Sequence, residues 1–314
     1  MITIAGNYPR SEELIQATRD FDRNRIDQYK LEQAYEKDFF DFLKLQEKLN
    51  FPFISTGLFN YQDLIRPFSI FIKNSIANTL LRFEATNVFW RKLEVSKIEI
   101  DEQNFDKYLA EYLKLDRMKN YNYLISLPSP LTLSKYSNLN IENSTELLTE
   151  IFIRITDKWN SNNVMAFAFI EYTEIENLDK LITFSQKIKN ISVDNKNTQL
   201  FLFFKNKIKN FKDIEKLSFD GISINFYTNP IKKIESDQNF QIERLNSFKY
   251  LFAGIINTNT TRLEDTTKIQ QFIDYIKTKY KNTLYITDDF YAELLPREIM
   301  DNKIINISKI FAQI

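Results

Sequence analysis

The sequence reads as an α/β protein, a single (β/α)8 barrel with a helical excursion near its N-terminus, and three observations lead there. Short, almost wholly apolar runs alternate with segments of helical periodicity, and one of them, Val164 to Ile170, is apolar throughout. Runs of that kind are expected of parallel strands covered by helices on both sides. About eight such runs follow one another, and no Pro/Gly-rich linker interrupts them. The chain has 314 residues, 43% of them hydrophobic, which suffices for one large barrel spanning residues 1–314. Two smaller α/β domains are the alternative division.

The first run, Ile2-Thr3-Ile4-Ala5, ends at Gly6 and a polar corner, Asn7-Tyr8-Pro9-Arg10. Ser11 is a good N-cap, with Glu12 and Glu13 in the first turn, where the helix dipole favours negative charge. Asp27 to Leu49 reads as a second helix, because Leu31, Ala34, Tyr35, Phe39, Phe42 and Leu45 recur at three- and four-residue steps. Phe53 to Thr56 is a strand closing at Gly57, followed by a loop to Asp63 and the apolar stretch Leu64 to Ile72. Asn87 to Ile100 alternates and suggests extended structure.

Beyond it the alternation is regular. Strands are expected at Tyr123–Leu127, Val164–Ile170, Leu200–Phe204, Ile222–Tyr227, Tyr250–Ile256 and Leu284–Thr287. Helices are expected at Phe105–Leu115, Thr145–Trp159, Leu178–Ile188, Phe211–Leu217 and Thr267–Tyr280, and from Ala292 onward. The four glycines, Gly6, Gly57, Gly221 and Gly254, each lie at or beside an apolar run, where backbone must turn or approach something closely.

Composition removes several function classes. Lys+Arg and Asp+Glu are 42 each, without the basic excess of a nucleic-acid binder. There is no Cys and no His, hence no disulfide, thiolate nucleophile, imidazole base or Cys/His zinc site. Catalysis would rest on Asp, Glu, Lys, Tyr, Ser or backbone groups. No loop has the acidic spacing of a Mg²⁺ or Ca²⁺ site, so no metal ligands and no catalytic residues are assigned. No secretory pattern opens the chain and no apolar run is long enough to span a bilayer, so a cytoplasmic protein is expected.

Several segments in order resemble the cobalamin-independent methionine synthase family, within the barrel superfamily shared with uroporphyrinogen decarboxylase. Gly6-Asn7-Tyr8-Pro9-Arg10, with Glu13-Leu14, is similar to the family's opening motif. Thr56 to Asp63 resembles its second-strand region, and Arg82-Phe83-Glu84-Ala85-Thr86-Asn87 its [KR]-W-F-x-T-N signature. Leu127 to Thr132 resembles its L-P-G-P-x-T turn, Gly254 to Glu264 its seventh-strand segment, and Leu294 to Arg297 its final L-P motif. The family binds homocysteine sulfur to a zinc ion held by His, Cys and acidic ligands, and the thiolate attacks a folate-type N5-methyl. This chain departs from that pattern: the His and Cys are gone, and the D-E-P motif appears as Ile170-Glu171-Tyr172. Such losses characterise the zinc-free N-terminal barrel of the two-barrel members, of which this chain resembles a free-standing version.

The resemblance implies a zinc-free subunit or paralogue that assists methyl transfer to homocysteine. It would hold the anionic tail of a folate- or methanopterin-type donor, dock a separate zinc-bearing catalytic barrel, or do both. It implies no bound cofactor and no nucleic-acid or membrane partner. Two other classes stay open: an independent carboxylate-based enzyme on a one-carbon or corrinoid-related substrate, and a scaffold without a ligand. The candidate donor-binding residues each have a structural alternative. Arg10 suits a carboxylate fork, or an ion pair with Glu12, Glu13 or a neighbouring loop. Arg82 falls on the family's tail-binding position, or is a solvated Arg. Thr86 and Asn87 follow it as contacts or as turn residues. Asp63 stands beside Gln62 and Arg66 as a ligand group or an ion pair. Glu171 is a pterin-binding carboxylate or general acid, or a satisfied rim residue. Tyr8 stacks on a flat ring or packs in the core.

Overall fold

The computed structural model describes residues 1–192, 197–231 and 241–311. The first apolar run lies parallel to the last strand: Ile2 bridges Ile286, and Thr3 N donates to Ile286 O at 2.9 Å. Helix α1 (Glu12–Asp22) starts at Ser11, whose hydroxyl accepts from Leu14 N. Helix α2 (Gln28–Lys48) starts at Asp27, capped in the same way, and the left-handed Asn50 turns the chain out of it. Together they form the expected excursion. The second run then bridges Ile54 to Tyr123 in parallel. Both runs were expected to be strands, and each carries a single bridge in place of a ladder. They are tied to each other by Tyr8 N donating to Gly57 O at 2.9 Å.

An insertion separates the second run from the main sheet. It holds the short helix α3 (Phe68–Phe71) and four short strands, β1 (Ser75–Ile76), β2 (Leu80–Arg82), β3 (Phe89–Arg91) and β4 (Glu94–Val95). β1 pairs antiparallel with β4 and β2 with β3, so the extended structure expected at 87–100 is one side of a two-stranded ribbon. Helix α4 (Glu102–Lys107) begins earlier than periodicity suggested, because Asp101 caps it, and it passes into a π-turn at Tyr108–Tyr112.

Six parallel strands complete the ring: β5 (Tyr123–Pro128), β6 (Met165–Glu171), β7 (Thr198–Phe204), β8 (Gly221–Asn225), β9 (Tyr250–Ile256) and β10 (Thr283–Asp288). Their order is β10-β9-β8-β7-β6-β5, and the two N-terminal runs occupy the gap between β10 and β5. Helices α5 (Pro130–Lys135), α6 (Ile141–Lys158), α7 (Asp179–Ser192), α8 (Thr266–Lys279) and α9 (Arg297–Ser308) accompany them. α6 starts four residues before its expected position because Asn140 caps it. The expected helix 211–217 is only a 3-10 turn, Ile214–Lys216, entered through Asp213 at φ 67. The C-terminal helix begins after Pro296; only a 3-10 turn, Ala292–Leu294, precedes it. Residues 312–314 of that expected helix lie outside the described residues.

Side-chain alternation sorts the strand residues into barrel interior and helix contact. Phe167 meets Phe152 of α6 and Phe169 meets Phe184 of α7, so these point outward. Phe53, from the second run, reaches Phe201, Tyr250 and Tyr285 across the barrel. The interior is therefore a packed aromatic layer, and Ala166 and Ala168 of β6 alternate with the outward Phe residues. Gly254 lies where β8, β9 and β10 crowd together: a Cβ there would stand 2.9 Å from Ile224 O and 3.3 Å from Asp288 O. Glycine is required by that close approach.

Candidate functional site

The carboxyl ends of the strands form a polar floor at one mouth of the barrel, where folds of this class place ligands. Glu171 closes β6 and is fully buried. It accepts from the Ser129 hydroxyl, from Thr132 Oγ1 at 3.0 Å and from Thr173 N at 2.6 Å. Burial raises its pKa, although these donors work the other way. Lys205, just past β7, is also fully buried, and its Nζ donates to Asp288 Oδ2 at 2.7 Å and to Asp288 O at 3.0 Å. Asn225, at the end of β8, donates to Lys205 O at 3.1 Å. Asp289 accepts from both Thr258 N and Thr258 Oγ1 at 2.8 Å, and burial pushes its pKa up to about 6.

An aromatic roof covers this floor. The inward face of the ribbon supplies Trp90, with Phe83 just after β2, and both are fully buried. Their rings stack at 4.1 Å. Phe83 also packs on Tyr172, Phe290 and Tyr291, which follow β6 and β10 directly. Tyr136 closes the group against Trp90 at 4.9 Å, and its hydroxyl both donates to Glu84 Oε1 and accepts from Glu84 N. Each of these large rings removes on the order of 150–250 Å² from water, so the roof is a substantial part of the core.

The expected donor-binding residues separate into four places. Tyr8 is buried, stacks on Phe42 at 3.9 Å and donates from its hydroxyl to Asp301 Oδ1 at 2.6 Å. It is packed in the core. Arg10 forms an ion pair with Glu293 at 3.5 Å; the partner comes from the last βα loop, not from Glu12 or Glu13. Its buried Nε makes no hydrogen bond. Asp63 is buried, accepts from Ile65 N and Arg66 N and pairs with the Arg66 guanidinium at 3.2 Å. Burial raises its pKa against the pull of Arg66. Arg10, Asp63, Arg66 and Glu293 form one charged cluster: burial pushes the Glu293 carboxyl up to about 7, against the cation of Arg10.

Arg82, Thr86 and Asn87 lie together on the ribbon, away from that cluster. Arg82 Nε donates to Thr86 O at 2.6 Å, Thr86 Oγ1 donates to Phe83 O at 2.6 Å, and Asn87 is exposed. The β2–β3 turn uses Arg82 and Thr86 to hold itself, which is the turn role weighed for this pair. Glu171 lies at the end of β6, held by its three donors. Lys205, Asp288, Asp289 and Glu293 were not singled out from sequence. Lys205 follows the apolar run of β7 directly, and Asp288-Asp289 follow β10; a charged residue at the end of a buried strand is a signal available to sequence reasoning.

Beside the mouth, a groove of ≈490 Å³ runs between α2 and the π-turn, with Tyr35, Tyr61, Tyr112, Lys114 and Arg117 on its walls. Lys114 and Arg117 are both spent on Glu36. A smaller cavity of ≈20 Å³ beneath Tyr61 and Tyr112 reaches Asp63 and Ser126. That volume holds about one water molecule. A His/Cys zinc centre does not fit a chain without those residues, and among the described residues no acidic group is placed to replace it. Among them, too, no helix is long and apolar enough to cross a membrane.

Comparison with solved structures places the fold. The chain is similar to a B12-independent methionine synthase from Shewanella sp. W3-18-1, solved in complex with selenomethionine (TM-score 0.67, 12% identity, 92% of this chain and 91% of that one). It is similar also to the putative vitamin-B12 independent methionine synthase from Listeria monocytogenes (TM-score 0.63, 11% identity, 98% and 96%). At these identities the likeness is one of fold, over nearly the whole of each chain. No family model matches the sequence, and no curated protein matches it.

Proposed function

We propose that this chain is a zinc-free barrel component of methionine-synthase-type methyl transfer, acting beside a separate barrel that carries the zinc. The observation that carries the reading is the full-length likeness to methionine synthase structures in a chain with no Cys and no His. Without those ligands the homocysteine thiol has no metal to lower its pKa here. The floor supports a non-catalytic role, because Glu171 is satisfied by the Ser129 and Thr132 hydroxyls and Thr173 N, and Lys205 by Asp288, under an aromatic roof. What the barrel contributes is a site that holds the anionic tail of a folate- or methanopterin-type donor, with Arg10 as the anchoring cation. Among the described residues its Nε has no hydrogen bond and its one carboxylate partner, Glu293, stands at 3.5 Å. A ligand carboxylate that displaced Glu293 would gain a bidentate fork.

Sedimentation of an equimolar mixture with a Cys/His-bearing methionine synthase barrel from the same organism tests the partnership. A 1:1 complex at micromolar concentration is expected, and two independent monomers would sink the idea. Calorimetric titration with a folate polyglutamate tests the tail site: heat that is lost in Arg10→Ala is expected, and no heat leaves a scaffold.

A second reading, an independent acid–base enzyme, draws on Glu293 and Asp289, two buried carboxyls raised to about 7 and about 6. The sealed roof weighs against it, since substrate would have to displace Phe83 and Trp90 to reach the floor.

A further inference from the structure

The inward face of the ribbon is committed to the roof, and its outward face is left to solvent. In the β2–β3 ladder Leu80 pairs with Arg91 and Arg82 with Phe89, so these four side chains share the outward face while Leu81 and Trp90 point in. Leu80 is 58% exposed and Phe89 52%. Ile76, on the continuing β1–β4 part of the ribbon, is 51% exposed. Exposed apolar side chains standing singly need no explanation, but Leu80 and Phe89 share one face of the narrow β2–β3 ladder and form a patch. The two arginines are aimed by backbone: Arg82 Nε donates to Thr86 O, and Arg91 donates to Asn78 O at 3.2 Å. Among the described residues neither has a carboxylate partner, whereas Lys135, close by on α5, is paired with Glu84. The patch is thus apolar, rigidly backed and flanked by two uncompensated cations on opposite strands.

We infer that the outward face of the ribbon is a docking surface for a partner protein whose own surface sets carboxylates on either side of an apolar patch. The balanced net charge of the chain, 42 Lys+Arg against 42 Asp+Glu, favours a protein over a nucleic acid, whose binding draws on a basic excess. Leu80 and Phe89 would be the desolvated centre of the contact, and Arg82 and Arg91 the groups that fix its register and select the partner. The inference stands on the ribbon and is independent of the methyl-transfer reading.

The test places the photo-crosslinker p-benzoylphenylalanine at Phe89 of the full chain in its own host, with Phe40 of α2, 44% exposed, as the control position. The expected result is one crosslinked protein at position 89, absent at 40. It should bind the purified chain stoichiometrically, and the double variant Arg82→Glu, Arg91→Glu should bind it about tenfold more weakly or worse. The thermal melt of that variant, whose two substitutions are on a solvated face, checks that the fold is intact; if it is not, Leu80→Ser with Phe89→Ser replaces it. No crosslink above the control, a nuclease-sensitive product, or binding indifferent to both variants overturns the inference. A partner that binds but bears no zinc ligands supports the docking surface, and the methyl-transfer reading stands or falls on its own sedimentation and titration tests.

Discussion

Glu293 is one residue through which pH should act on this protein. Its carboxyl is buried against Arg10 and receives the Tyr291 hydroxyl at 2.9 Å, and burial lifts its pKa from 4.5 to about 7. The native state therefore binds a proton between those values that the unfolded chain does not. The stability this contributes is fully present below about pH 4.5 and is lost as pH rises through about 7. A shift of that size corresponds to ~3 kcal/mol at most. Burial lowers the pKa of the Met1 α-amino group to about 5, which acts in the opposite direction over the same range. The test is therefore a difference: between pH 5 and pH 8 urea unfolding of the native sequence should lose stability relative to Glu293→Gln, and identical pH profiles would remove Glu293 as a cause. Asp289, raised to about 6, titrates in the same direction and accounts for part of what remains.

At the scale of elements, close packing at the mouth makes two substitutions informative. Gly254→Ala forces a methyl group to 2.9 Å from Ile224 O, a backbone atom with no freedom to withdraw. A cost of about 1–3 kcal/mol is expected in chemical denaturation. Trp90→Ala empties the centre of the roof and should cost ~3–5 kcal/mol. It should also let acrylamide or an apolar dye reach the floor, whereas an unchanged dye signal would mean that the ribbon does not seal the mouth. The strands behind these sites were readable because parallel strands buried on both faces are simply apolar, as at Phe167 to Ile170 or Leu200 to Phe204. Phe201 fills the barrel interior against Phe53 and Tyr250. The ribbon was hardly legible: its strands are two or three residues long, too short for alternation to show. The helix expected at 211–217 is cut to a 3-10 turn at 214–216 because Asp213 adopts a left-handed backbone. The site was legible in kind but not in partnership. Arg10 beside an acid was foreseen, but its partner, Glu293, lies 283 positions away, and no local spacing reports such a pair.

That long reach is general, because the barrel closes by joining its two ends. Ile2 pairs with β10, Arg10 with Glu293, and Tyr8 with Asp301, 293 positions on. Arg297 is the centre of this closure. Its guanidinium lies 5.0 Å from the Tyr8 ring centroid, with Phe42 and Phe59 next to it, and its Nε donates to Asp301 at 2.9 and 3.0 Å. Asp38 of α2 stands 4.0 Å away and accepts from Ser11 N, so the same cluster holds the start of α1. Removing a buried charge that several groups share leaves the others unpaired, and Arg297→Ala should cost ~3–5 kcal/mol. If closure is one cooperative unit, Tyr8→Phe and Arg297→Ala will not add: a double-mutant cycle should return a coupling of ~0.5–3 kcal/mol. Hydrogen exchange gives the spatial half of the prediction. The amides of Thr3 and Ile286, which bond across the seam between first run and last strand, should exchange faster in Arg297→Ala. Those of Phe167 and Leu202, in the middle of the sheet, should keep exchanging at the rate of global unfolding. Acceleration spread evenly over all four would mean that the seam has no separate opening and that Arg297 stabilises the barrel only as a whole.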